Sequence, residues 1–394
     1  MKKIQNIPGF ITAFIYFLLT ALSLVFFNRE PGRESAAENR RLAEFPSVRN
    51  EKGEISPSLA DDLAGWFEDN LGFRDAYLTL SGMINYNLLH RSKTSKVELG
   101  KEGFVFLAEE GNLSLEASKS GKFLEKLPEY ASDQEAIAEK LASQGIDYVL
   151  MIGPGKPSVY PEYIASSAHR MEDTVGDALY DYLTENTDVH VSWPKKLLVD
   201  AKDNEDGELI YLQTDTHWTT YGRNIAYRDL IASLSEWNIT DTKPCEVRFV
   251  KSDEHYVGDL SNMMGPVTWS GHRLYEDSFT DWEIVSPKAE VVDHGERYEE
   301  FSRMLEGKKV YNPELCVMYH NDSAPKESVL ICGDSMVGIC LLPQLAECFS
   351  DLTFVWSYTI DQDFIDFAKP DLVISEFGER ELPLRLEDIR RFID

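Results

Sequence analysis

The chain lacks what several common readings require. Its five cysteines include no Cys-x-x-Cys pair, so nothing supports a structural zinc site. It is poor in positive charge: 39 Lys and Arg stand against 68 Asp and Glu, a formal net charge of −29. Nucleic-acid affinity comes largely from Lys and Arg neutralising phosphates, so that class of partner is disfavoured. No solenoid or propeller repeat is visible. The lipase-type G-x-S-x-G pattern is absent, which disfavours an ordinary α/β-hydrolase elbow. What is present is globular: 43% hydrophobic and 27% charged residues over 394 positions, enough for one large domain or two ordinary ones.

Residues 10–27, FITAFIYFLLTALSLVFF, carry no charge. A membrane span needs about 20 apolar residues, whereas a secretory signal has an apolar region of only about 7–15. Ala21-Leu22-Ser23 is a poor cleavage site because Leu-Val-Phe-Phe follows it. Lys2 and Lys3 precede the run. The expected organisation is a cytoplasmic N-terminus (1–9), an uncleaved single-pass transmembrane helix (10–27), a charged lead-in (28–58) and a domain outside the cytoplasm (59–394). Cys245, Cys316, Cys332, Cys340 and Cys348 would then lie where a disulfide is permitted, though nothing requires one.

Apolar residues recur at helical spacing from Leu59 to Leu89, with Gly72 and Gly82 as candidate breaks. Beyond Gln134, helices alternate with short apolar strands. The predicted strands are 147–152, 189–193, 328–332, 352–356 and 372–376. The predicted helices are 134–144, 171–186, 221–237, 335–348 and 362–368. Such alternation predicts a mostly parallel sheet covered on both faces, with functional loops at the carboxyl ends of its strands. The stretch 239–327 is less regular and is read as an insertion.

Two segments carry chemistry. Val329-Leu330-Ile331-Cys332-Gly333-Asp334-Ser335 runs an apolar strand through a Gly-Asp-Ser turn into a helix, which places Ser335 at a strand end. Asp and Ser are also ordinary helix caps, so the motif alone is weak. Asp215 and His217 stand two apart in Asp215-Thr216-His217-Trp218, so in extended backbone they share one side. A carboxylate on one imidazole nitrogen fixes the tautomer and leaves the other nitrogen to deprotonate a serine. The competing readings are a structural Asp–His contact or part of a metal site, although no further ligands occur at diagnostic spacing.

Asp215-Thr216-His217-Trp218, Gly333-Asp334-Ser335 and Glu38-Asn39-Arg40-Arg41-Leu42-Ala43-Glu44-Phe45-Pro46 together resemble the DHHW group. That family is similar to the alginate O-acetylation proteins AlgJ and AlgX within the SGNH-hydrolase-like superfamily. Further matches are the segments 67–74, 100–107, 154–162 and 375–380, in the family's order. The resemblance implies a flavodoxin-like three-layer α/β/α fold and a Ser-His-Asp triad. Ser335 is then the nucleophile, His217 the general base and Asp215 its orienter. It implies acyl transfer, O-acetyl transfer first among the choices, to hydroxyls of a cell-surface or exported polysaccharide. A multi-pass membrane O-acyltransferase is the implied partner, and no cofactor is called for. Asn262 is a candidate oxyanion donor. Lys156 and Tyr160 are candidate pocket residues, set against plain structural contacts. Glu376 and Arg380 are further candidates, set against a buried ion pair; Ser375 stands where the family often has Trp. Two rivals remain: a carbohydrate acetylesterase with the same triad, and a non-catalytic scaffold of a polysaccharide assembly complex.

Overall fold

A computed structural model describes residues 7–28, 33–35, 40–50, 53–108, 121–165 and 173–393. The chain divides into two compact units: Met1–Val97 with Asp259–Leu274, and Glu98–Gly258 with Tyr275–Asp394.

The first unit is helical. The apolar run near the N-terminus forms the helix Ile7–Val25. Among the described residues no helix is long and apolar enough to cross a membrane, so the transmembrane expectation for 10–27 is not supported. The run is also not uniformly turned outward. The helix stops at Val25, and Phe26 and Phe27 pack on Phe73 and Trp66 at ring separations of 5.0 and 5.2 Å. The helices Leu59–Asp69 and Arg74–Asn87 realise the periodicity of 59–89. Gly72 lies between them, where a Cβ would stand 2.5 Å from the Phe26 carbonyl oxygen. Asp69 accepts from the Ala43 N–H at 2.8 Å and pairs with Arg74 at 3.3 Å, while the Asn70 amide donates to the Ala43 carbonyl at 3.1 Å. The motifs at 40–46 and 67–74 therefore fasten each other; Glu38 and Asn39 lie outside the described residues.

The second unit holds a seven-stranded sheet. Its strands are β1 (Asp147–Gly153), β2 (His190–Ser192), β3 (Glu290–Val291), β4 (Val317–His320), β5 (Ser328–Gly333), β6 (Asp351–Trp356) and β7 (Leu372–Gly378). The spatial order is β2-β1-β7-β5-β6-β4-β3. The first five pair in parallel, and β4 and β3 add antiparallel at one edge. The sheet is thus mixed. β3 and β4 come from the stretch read as an insertion, as does the antiparallel hairpin Val247–Ser252 with Phe279–Ile284. Their short length and half-exposed side chains gave them no clear apolar signature.

The parallel strands are apolar on both sides. Val149, Met151, Val329, Ile331 and Ile374 join one core with Ala226, Tyr227, Leu230 and Leu234 of the helix Thr220–Glu236. Leu150, Ile152, Leu330, Val373 and Phe377 join the other with Leu127, Ile137 and Leu141 of Leu127–Ala142 and with Leu179 and Leu183 of Val175–Asn186. Two helical layers on one sheet give the three-layer α/β/α arrangement. The helix expected over 335–348 is two short pieces, Ser335–Gly338 and Leu342–Ala346, the second with Pro343 in its first turn.

Ile331 is fully buried on the central β5. Ile331→Ala is expected to cost about 2–5 kcal/mol from lost contacts and an unfilled cavity. Reversible denaturant unfolding measures this, and a cost below about 1 kcal/mol would contradict the core assignment.

Candidate functional site

β1, β5 and β7 run in parallel and end together, with Gly153 opposite Gly378. Ser335 lies two residues past the end of β5, after Asp334, and is 6% exposed. Asp334 caps the short helix after it: Oδ1 accepts from the Met336 N–H at 2.8 Å, and Oδ2 accepts from the Gly378 N–H at 3.0 Å and the Tyr358 hydroxyl at 3.2 Å. Ser335 is therefore set on a turn tied to the end of the neighbouring strand. Because the helix has only four residues, its dipole contributes little; what remains is the local backbone N–H geometry.

Glu376 lies beneath this turn, fully buried, and accepts from the Asp334 N–H at 2.8 Å. Gly333 is required here, since a Cβ would stand 2.7 Å from Glu376 Oε2. Burial, and then the nearby Asp334 charge, raise the Glu376 carboxyl well above the ordinary range. Arg380 lies against Glu381, Nε to Oε1 at 3.4 Å. Glu376 supports the serine turn through a backbone hydrogen bond. Sequence reasoning passed over Glu379, which is also fully buried. It accepts from the N–H groups of Gly155 and Gly176, at 2.9 and 3.2 Å, and from the Ser158 hydroxyl. It thereby ties the loop after β1 to the start of Val175–Asn186.

Asp215 and His217 come together as their spacing predicts. His217 Nδ1 lies 2.8 Å from Asp215 Oδ1, and the same oxygen accepts from the His217 backbone N–H at 2.9 Å. Asp215 is 3% exposed. Its second oxygen accepts from the Tyr256 hydroxyl at 2.8 Å. Burial alone would raise its pKa; the bonds from His217 and Tyr256 outweigh burial and hold the carboxyl well below the ordinary range. Sequence reading also missed Tyr256, which lies 41 positions from Asp215 and carries no local signal of that contact.

Lys156 and Tyr160 are buried but do not line the cavity beside His217. The Lys156 ammonium donates to the carbonyls of Val105, Gln213 and Asp215 at 2.9, 2.8 and 2.9 Å. It holds the backbone of the Asp215 segment. The Tyr160 hydroxyl oxygen accepts from the Ile210 N–H at 2.9 Å, and its ring packs on Phe104. The structural contacts therefore describe both residues better than pocket lining does. Asn262 belongs to the helix Asp259–Met264 of the first unit.

A cavity of about 470 Å³ opens at the Asp–His pair. His217, Trp218 and Tyr256 form part of its wall, and so do Ile339 and Cys340. The Ile339 N–H bonds the Ser335 carbonyl at 2.9 Å, one helical turn on. The helix that begins with Ser335 thus ends on the cavity His217 faces. All five cysteines are free thiols.

Tyr256→Phe removes one of the donors that stabilise the ionised Asp215. The Asp215 midpoint, read by carbon-detected NMR titration, is expected to move up toward the ordinary carboxylate value; an unchanged midpoint would remove Tyr256 from the network. Glu376→Gln tests the raised carboxyl. A folded pKa above the ordinary glutamate value of 4.5 adds stability that is fully present below 4.5 and is lost as pH rises through the folded pKa. Gln needs no proton there. The melting temperature of Glu376→Gln relative to the parent should therefore climb between mildly acidic and mildly alkaline pH. A constant difference would contradict the raised pKa.

The sequence family described as "SGNH hydrolase-like domain, acetyltransferase AlgX" matches residues 97–299, just over half of the chain. Asp215 and His217 lie inside that match and Ser335 beyond it. The "Probable alginate O-acetylase AlgJ" of Pseudomonas aeruginosa is 27% identical over 213 residues, covering 53% of this chain and 51% of that protein. The protein of that name from Pseudomonas fluorescens is 26% identical over 185 residues, covering 45% and 43%. The chain spans about half the length of the curated relatives it matches. Among solved structures, Bacillus cereus PatB1 with a sulfonyl adduct aligns at a TM-score of 0.51 and 12% identity, covering 73% of this chain and 95% of that one. The O-acetyltransferase domain of Pseudomonas putida AlgJ aligns at a TM-score of 0.48 and 18% identity, covering 73% and 92%. By the extent of the family match, the chain belongs to the AlgX-type family of SGNH hydrolase-like domains.

Proposed function

We propose that the protein is an O-acyltransferase, specifically an O-acetyltransferase, acting on polysaccharide hydroxyls through Ser335, His217 and Asp215. The observation that carries the reading is the bond from buried Asp215 to His217, which stands on the wall of a cavity that also receives the end of the helix begun by Ser335. The names of the AlgJ relatives and the AlgX-type family support the same reaction class.

The steps follow from the groups. Asp215 holds the proton on His217 Nδ1, so Nε2 is the basic nitrogen. Nε2 takes the Ser335 hydroxyl proton as Oγ attacks the acetyl carbonyl. The low-pKa Asp215 stabilises the imidazolium that forms. The tetrahedral intermediate collapses, and His217 returns the proton to the leaving group. This leaves acetyl-Ser335. A sugar hydroxyl then gives its proton to Nε2 and attacks the ester carbonyl, and Ser335 Oγ departs with that proton. Water in place of the sugar yields hydrolysis, so the esterase differs only in its acceptor. As part of the same proposal, the reaction takes place outside the cytoplasm, and a multi-pass membrane O-acyltransferase delivers the acyl group.

Hydrolysis and transfer from an activated acetyl ester, followed with and without oligosaccharide, test the reading. Ser335→Ala and His217→Ala should each lower turnover by about 10³-fold or more. Asp215→Asn should lower it by a comparable factor, because the wrong tautomer is then favoured. Ester turnover that persists in Ser335→Ala would refute the assignment. Acetate release that no oligosaccharide diverts would favour the esterase.

A further inference from the structure

The charges around the cavity bear on which polymer it accepts. Four of its lining residues are acidic: Asp206, Glu208, Glu276 and Asp281. Two are basic, and both are already engaged. Arg223 reaches Asp281 at 3.3 Å and lies over the Trp282 ring at 4.6 Å. Lys251 sits 3.6 Å from Glu208, which also accepts from the Thr280 hydroxyl at 2.9 Å. With each cation matched to an acid, Asp206 and Glu276 remain as surplus negative charge. Glu276 is 8% exposed and accepts from the N–H and hydroxyl of Thr214, both at 2.8 Å and both uncharged donors. The rim loop that leads in, Asp203-Asn204-Glu205-Asp206, adds further acids.

The remaining wall suits uncharged sugar. Tyr256 and Phe279 stand 5.5 Å apart and offer apolar ring surface to sugar C–H faces. Trp218 is 4% exposed, and its indole N–H finds no hydrogen-bond acceptor among the described residues. Its ring forms part of the cavity wall.

We infer that the acceptor is a neutral polysaccharide, and that uronate polymers such as the alginate in the relatives' names are rejected by the cavity's surplus negative charge. The inference rests on the transferase reading above and deepens it. A uronate residue brought to the Asp–His pair carries its carboxylate among acids already in excess, and like charges held close together repel. Each neighbouring sugar of a polyuronate repeats the penalty. The chain's overall charge of −29 opposes the approach of such a polymer as well.

Titration calorimetry of the full chain with hexasaccharides tests this. The panel is neutral β-glucan, mannan and galactan hexamers against hexamannuronate, at low and at high salt. At least one neutral hexamer should bind, and hexamannuronate should bind at least about tenfold more weakly than it at low salt. The gap should narrow as salt rises. In an Asp206→Asn variant, which removes surplus charge and leaves the Lys251–Glu208 pair intact, the ratio of uronate to neutral affinity should rise several-fold. Hexamannuronate binding as tightly as the best neutral hexamer at low salt would overturn the inference, and so would a panel in which no neutral hexamer binds. Ester hydrolysis measured in parallel separates the two levels. If it survives Ser335→Ala, the transferase reading itself has failed. If it depends on Ser335 while uronate is preferred, only the choice of polymer is wrong.

Discussion

A carboxylate removed from water must find fixed dipoles or charges to replace its hydration. Asp215 does so with three donors: the His217 ring, the His217 backbone N–H and the Tyr256 hydroxyl. The rest of the site depends on that arrangement. Because Asp215 stays ionised, it fixes the imidazole's orientation and tautomer. Because Lys156 grips the Asp215 carbonyl together with those of Val105 and Gln213, the backbone that presents the pair is anchored from below. A buried ammonium satisfied by three carbonyls is a positional device, since it gives no group to the cavity but sets where the carboxylate stands.

The serine side is built on the opposite electrostatic principle. Glu376 and Glu379 are buried at the carboxyl ends of the parallel strands and are pushed up by burial. They serve as acceptors for backbone N–H groups at Asp334, Gly155 and Gly176. One end of the site thus relies on a charged acid kept ionised, and the other on acids whose charge is disfavoured. Both arrangements fix loops that a parallel sheet leaves at its carboxyl edge, where chemistry on such sheets is ordinarily found.

Much of this was legible in the sequence. The strands at 147–153, 328–333 and 372–378 are apolar on both faces, so they read as continuous runs, and the helices between them carry clear spacing. The Asp215–His217 contact followed from a separation of two residues. What escaped was non-local or short. β3 has two residues and β4 four, too few for a periodic signal. Tyr256, Glu379 and the three-carbonyl role of Lys156 depend on partners from 41 to more than 200 positions away. The apolar N-terminal run looked like a membrane span by composition, yet its last two phenylalanines are used in packing within the first unit.

The central claim is that Ser335 becomes covalently acylated with His217 as its base. Rapid quenching of the full chain with an acetyl donor, followed by peptide mass spectrometry, tests it most directly. The account predicts one acetyl group on the peptide that carries Ser335, formed in the parent and absent when His217 is replaced by Ala. An acetyl group found on another residue, or on Ser335 to the same extent without His217, would contradict it.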